Sequence, residues 1–432
     1  MPRHWYLAPR VHWTVLGILA AIAVVEGVIA IAVRDNDFLC HRNIGEAYLA
    51  GIVGRDHYLP ARGLMNMSLA LAPYRVTRFI CYVISLVLLI VCWRIWARLG
   101  DRSDGTGEAI PRAAGLCAVF LVLPYLLRDL DECGLQIILL FLLSLGIWAL
   151  QRGKAIQAGF WLATAVAYKV VPLLCLPFLL WQKQWRAAAA MIVFMLLWCA
   201  APALHLGWDA NRRAHEQWYA EIARIKAAKQ AYPSLLDREP PVNYNLSIHA
   251  ALARVLETYP PEHPLHLQHP GFIQFGNLSQ HTAYHTVQGI LAMLGLGFLW
   301  LTRSAWNRTQ TRTNFVCDWA VICCLCALLS PSCWKQHLIL VLPCVYLVFL
   351  NLLTAQTPDR WRWALIAWIG MVVYLGRQFL TGDLNQLVLS YKIDTMAIVT
   401  LVVWTMLLRH EDLATGAVHT TAPAERDDRR AA

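Results

Sequence analysis

Residues 152–186 read RGKAIQAGFWLATAVAYKVVPLLCLPFLLWQKQWR: two basic clusters enclose an apolar segment with one charge, Lys169, followed closely by Pro172. Arg152 and Lys154 precede the segment, and Lys183 and Arg186 follow it. A lysine inside a membrane is costly and by default marks a functional site. The flanking clusters decide the geometry. A single crossing from Gln157 to Gln182 would put one cluster outside and invert every later basic loop against the positive-inside rule. A segment that climbs and turns back near Lys169 and Pro172 keeps both clusters cytoplasmic. Each arm is then about a dozen residues, short of the roughly 20 a full span needs, so the turn lies beneath the outer surface. Irregular backbone at that depth is tolerated only where it is buried in protein or lines a wet cavity. Lys169 is therefore expected on the floor of a cavity open to the outside.

The composition agrees with a membrane chain. Of 432 residues, 58% are hydrophobic and 15% charged, and the mean hydropathy is +0.47. A soluble core does not absorb so many long apolar runs. The first run, Val11 to Val33, lacks a small-residue cleavage motif and reads as a retained helix. The net charge of +10 sits mostly in short loops, where it marks orientation rather than nucleic-acid binding. Most of the thirteen cysteines fall inside apolar runs, where the thiol behaves as a small hydrophobe.

Apolar runs near 12–33, 76–97, 111–127, 134–151, 187–206, 283–302, 314–331, 335–354, 361–381 and 392–408, with the two short arms, give about twelve helical passages. The fold class is all-α and polytopic, one integral membrane domain over 1–410. Every basic cluster from Arg3/Arg10 to Arg409 lands inside once the hairpin is accepted. The long outer loops are then 34–75 and 207–282. Within the second, Asn211 to Tyr232 has the period of an amphipathic surface helix, and Pro233 to His269 reads as irregular. The tail 411–432 is polar and expected to be disordered. The setting implied is the inner (plasma) membrane with the site on its extracytoplasmic face.

In this topology Asp35, Asp37, His41, Arg42, Arg128, Asp129, Asp131, Glu132, Lys169 and His337 share the outer leaflet. Asp37-Phe38, Gly45, Ala47, Gly51 and Tyr58-Leu59-Pro60 resemble the first outer loop of glycosyltransferase family 87. Arg152-Gly153-Lys154, Ala158-Gly159, Lys169-Val170-Val171-Pro172, Pro177 and Trp185-Arg186-Ala187 resemble that family's hairpin. Ser330-Pro331-Ser332-Cys333-Trp334-Lys335-Gln336-His337 resembles its Ser-Pro-x-Ser-Trp-x-His-His signature, and Asn245-Leu246-Ser247-Ile248 to Arg254 matches a further segment more weakly. The departures are Cys133-Gly134-Leu135-Gln136 for the family's Gly-Gln-x-Asn, Cys333 for its second serine and Gln336 for its first histidine. They mark a divergent member and leave the polar contact at Gln136 open.

The resemblance implies a C-type glycosyltransferase fold. It also implies inverting transfer of a hexose, mannose in the family, from a polyprenyl-phosphate sugar to the hydroxyl of a glycolipid or glycan acceptor. Such a reaction needs a carboxylate to take the hydroxyl proton and cations aimed at the departing phosphate. Asp37 is the base candidate and Asp35 the runner-up; the competing reading is a solvated carboxylate at a helix end. Lys169 suits the phosphate as a compact point charge, or it snorkels or pairs with Asp129 or Asp131. His337 donates to phosphate or sugar, or is merely a satisfied polar residue. Arg42 and Arg128 add phosphate charge or anchor at headgroups. Trp334 stacks on sugar or belongs to an interfacial aromatic belt. No metal-ligand spacing stands out, so neither a metal nor another cofactor is expected. Two other classes fit the composition: a secondary transporter of a polar or anionic solute, which would show inverted halves, and a polysaccharide polymerase or ligase using lipid diphosphates.

Overall fold

Apolar segments in a bilayer must satisfy their backbone internally, and the described apolar segments of this chain do so as helices. The structure is a computed structural model that describes residues 9–32, 37–53, 58–100, 109–132, 134–231, 233–234, 245–263, 266–267, 272–304, 310–355, 360–374 and 382–419. Helices α1 (Pro9–Ala32), α4 (Tyr74–Leu99), α10 (Trp185–Ala200) with its short continuation α11 (Ala203–Leu206), and α14 (Gln280–Leu301) are long and apolar enough to cross a membrane. So is the run Lys335–Thr354, a 310 turn leading into α16 (Leu342–Thr354). A sixth candidate is the pair α5 (Ala109–Leu121) and α6 (Leu123–Asp131), bent by 66° where Pro124 interrupts the ladder. Shorter apolar helices pack between these: α7 (Leu135–Gln151) and α15 (Arg312–Leu328), of 17 residues each, and α17 (Arg360–Tyr374), of 15. Fewer passages than the expected twelve or so therefore meet the length of a full span.

The hairpin is present. Helix α8 (Ala155–Tyr168) stops at Lys169, whose backbone is extended; Val171–Leu174 forms a 310 turn, and α9 (Cys175–Trp181) follows. Three sets of contacts fix the directions. Helix α8 runs parallel to α10: Gly159 lies against Ala187, Ala190 and Met191, Phe160 meets Phe194 edge-on at 5.2 Å, and Trp198 donates to Thr164 Oγ1 at 3.1 Å. It runs antiparallel to α7, with Gly146 against Leu162 and Gln136 reaching Lys169. The return arm runs antiparallel to α15, since Cys326 approaches Val171 while Trp319 meets Phe178 at 5.2 Å. The chain thus climbs, descends and climbs again, and Arg152/Lys154 and Lys183/Arg186 sit at the same end. At 14 residues α8 rises about 21 Å, less than the roughly 30 Å apolar thickness.

Segments expected outside gather at the end that holds Lys169. Within 34–75 two helices form that the apolar pattern does not announce, α2 (Asp37–Leu49) and α3 (Pro60–Ala70). They pack so tightly that a Cβ on Gly45 would stand 2.1 Å from Asn66 O and one on Gly63 2.2 Å from the Tyr48 ring. Helix α12 (Trp208–Ala231) occupies the predicted amphipathic stretch. The expectation of an irregular Pro233–His269 is corrected by α13 (Ile248–Leu256), which begins where Ser247 Oγ accepts the Ala250 amide. The short α18 (Gly382–Ser390) joins the same end.

At the opposite end, basic residues do more than mark orientation. Arg312 donates to the C-terminal carbonyls of Arg98 and Leu99, where the helix dipole favours a cation. Arg409 is buried and paired with Asp318 at 3.0 Å. It lies on α19 (Ile393–His419), which continues beyond the expected tail boundary at 411 because Glu411, Leu413 and Ala414 favour helix. Residues 420–432 of that tail lie outside the described residues.

Two measurements check this arrangement. Cysteines placed at Lys154 and Lys183 in a cysteine-depleted chain are expected to react with an impermeant thiol reagent from the same side; labelling from opposite sides would contradict the hairpin. A Cβ on Gly159 would meet Ala190 Cβ at 2.5 Å and Met191 N at 2.6 Å. Gly159→Ala is therefore expected to lower stability by about 1–3 kcal/mol. Gly289→Ala, with open space around it, should melt near the parent temperature in detergent.

Candidate functional site

Helix α8 ends at Lys169 because the next turn contains Pro172, which is accommodated at the start of a new helical segment but supplies no amide to an old one. The break carries the Lys169 ammonium to the start of α7 and the start of the 310 turn Lys335–Val341. Nζ donates to Gln136 Oε1 at 3.2 Å and lies 2.9 Å from His337 Nε2. The neighbouring amide fixes the imidazole: Trp334 N donates to His337 Nδ1 at 3.1 Å. The ammonium thus pairs with both Gln136 and His337 and keeps one N–H for a ligand, an arrangement suited to an anionic oxygen.

The surroundings hold this group in place. Asp129 accepts the amides of Gln136 and Ile137 at 3.0 and 2.9 Å, serving as the cap that Gly134 has no side chain to provide. Gly134 itself has φ +71°, and a Cβ there would stand 2.0 Å from Ser85 Oγ. Gln336, one residue from His337, donates to Glu132 at 3.1 Å, and Arg128 bridges Asp131 and Glu132 at 3.1 and 2.8 Å. Asn245 pins the signature loop: its Nδ2 donates to Pro331 O, and its Oδ1 accepts the amides of Cys333 and Ser247. Leu246 N completes the link to Cys333 O at 2.6 Å.

Above this, α3 contributes Arg62, buried with its guanidinium 3.4 Å over the Tyr168 ring. Its side of the site continues through Tyr58 to His41, whose ring centroids are 5.2 Å apart. Helix α2 begins at Asp37, one turn before His41. Further out, Arg254 lies under the rings of Phe272, Tyr391, Tyr259 and Phe275 and donates to Ile273 O at 2.8 Å. Burial there pulls its guanidinium below the ordinary value. This cage ties the second outer loop to Tyr391 and is a structural anchor.

The site residues expected from the sequence separate into three groups. Lys169 and His337 meet, and Arg128 stands beside them through Glu132 and Gln336. Arg42 is engaged elsewhere, with Glu46 at 2.8 Å and the carbonyls of Leu69 and Ala72 at 3.2 and 2.7 Å, where it closes the α2–α3 pair. Trp334 is 40% exposed, donates its indole N–H to Ser332 Oγ and acts on the group through its amide. Asp35 and the Asp37 side chain lie outside the described residues. The sequence did not single out Arg62 or the role of Gln136. Their signals were a lone cation directly after Tyr58-Leu59-Pro60 and a lone polar residue at the head of an apolar run. Among the described residues no cluster of three or more His, Cys, Asp or Glu side chains could hold a metal ion.

No curated protein and no solved structure matches the chain. The family profile of glycosyltransferase family 87 does, over residues 57–331, which takes in Arg62, the hairpin with Lys169 and the loop Asn245–Arg254. With well over half its length matched, this all-helical membrane chain belongs to glycosyltransferase family 87 and is a glycosyltransferase.

Proposed function

We propose that the protein moves a hexose, mannose in the first instance, from a polyprenyl-phosphate sugar to the hydroxyl of a glycolipid or glycan acceptor, with inversion, at the extracytoplasmic face of the inner membrane. One observation carries the reading: Lys169 Nζ and His337 Nε2 lie 2.9 Å apart at the turn of a hairpin too short to cross. A lipid phosphate, whose chain partitions into the bilayer, brings an anionic group to that depth.

The chemistry follows from the placement. The acceptor oxygen attacks the anomeric carbon while the bond from that carbon to the phosphate oxygen breaks, its electron pair leaving with the phosphate. The acceptor proton passes to a carboxylate, for which Asp37 at the start of α2 is the candidate. Charge gathers on the phosphate as it leaves, where the Lys169 ammonium is already held by Gln136 and by His337, whose ring the Trp334 amide orients. Preorganised donors of this kind act on developing charge without reorganisation. Arg128 with Glu132 and Gln336 keeps the 310 turn in register. The acid–base and electrostatic roles are filled by these side chains, and the proposed reaction uses no metal.

The test is transfer of radiolabelled sugar from a polyprenyl-phosphate donor by purified protein. Asp37→Asn is expected to lower the rate by about 10²–10⁴-fold, the usual contribution of a general base. Lys169→Ala is expected to lower it by about 10²–10³-fold, as for removal of one oxyanion donor. Full transfer by Asp37→Asn would remove the base assignment. Uptake of solute into proteoliposomes without transfer would replace the enzyme with a transporter. In the same assay a chelator should leave the rate unchanged; loss restored by a divalent ion would show that a metal takes part.

A further inference from the structure

A buried guanidinium must be paired or used. Arg62 is 2% exposed, and among the described residues its Nε and Nη1 have no hydrogen-bond partner. Its carbon centre sits 3.4 Å over the ring of Tyr168, the residue next to Lys169, and it interacts electrostatically with Lys169 itself. The ring fixes the plane of the guanidinium and leaves Nε and Nη1 without an acceptor among the described residues. Two cations are thereby held on the same site, at a cost that neither relieves for the other. Asp129 offsets part of that cost at Lys169, and a ligand that brings negative charge to Arg62 offsets more of it.

Resting on the lipid-phosphate reading above, we infer that Arg62 recognises the second negative charge of a phosphate monoester, and so binds the departing lipid phosphate in preference to the intact donor. The donor is a phosphodiester with one charge. When the bond from the anomeric carbon to oxygen breaks, the electron pair stays on that oxygen and the product is a monoester. Its charge at neutral pH is about −1.5 to −2. Lys169 with His337 matches the charge present throughout. Arg62 matches the charge that arrives during the reaction, with N–H groups at Nε and Nη1 that no described residue accepts. An interaction stronger with the product-like group than with the ground state accelerates the chemical step.

The experiment compares binding of farnesyl phosphate, a monoester, with methyl farnesyl phosphate, a diester, to the full-length protein in detergent. Arg62→Gln is expected to weaken the monoester by about tenfold or more, as for loss of a charge-assisted hydrogen bond, and the diester by less than about threefold. Equal weakening of both would reduce Arg62 to a clamp between α3 and α8, and no weakening would remove it from the site; either overturns the inference. A second measurement needs no variant. Parental affinity for the monoester should rise between pH 5 and 7.5 as the ligand loses its second proton near pH 6, with the diester flat by comparison. A monoester profile as flat as the diester's overturns the inference even where Arg62→Gln fails to fold. If the parent protein binds neither lipid, the lipid-phosphate reading itself is wrong, a result distinct from a failure of Arg62 alone.

Discussion

The break in the backbone at Lys169 is the constraint on which the site depends. An ammonium in an apolar bundle has a large desolvation penalty, and it persists only if fixed dipoles replace the lost water. Gln136 and His337 do so from two other helical segments, each held by its own contact: the Gln136 amide on Asp129, and the His337 imidazole on the Trp334 amide. Three distant parts of the chain thus meet through one charge. The turn also sets depth, because an arm of 14 residues ends short of a full crossing.

Around that charge the protein separates holding from reacting. Carboxylates near the outer surface are used largely as caps and braces: Asp129 closes the start of α7, and Asp131 and Glu132 restrain Arg128. Arg42 binds backbone carbonyls at the end of α3. Asn245 fastens the signature loop through three hydrogen bonds. A small set, Lys169, His337 and Arg62, is not spent on such bracing and is the set on which the proposed reaction draws. This division suits a reaction in which negative charge must be met on arrival by groups that do not move.

The hairpin was legible in the sequence because charge distribution and length are both local quantities. Two basic clusters on either side of a segment too short to be two spans leave one geometry that keeps later loops consistent, and the parallel run of α8 and α10 has that geometry. Helix α12 was legible for a similar reason, since its polar and aromatic residues alternate at helical spacing. Helices α2 and α3 were not. Their stability comes from close approach at Gly45 and Gly63, and a glycine in a polar loop carries no sign of the partner it will touch. Helix α13 was hidden by the Pro- and His-rich stretch around it, although Ser247 before an apolar run is a start signal.

Local chemistry alone therefore determined the class of protein, the re-entrant pair and the identity of the charge at its turn, because hydropathy, chain length and basic flanks act within a single segment. Only the folded arrangement decided the partners of that charge. Gln136 lies 33 residues from Lys169 and His337 lies 168 residues away; Arg62 comes from α3 to the ring of Tyr168, the residue before Lys169. Such pairings depend on which helix ends share one face of the bundle, and that follows from packing between distant segments.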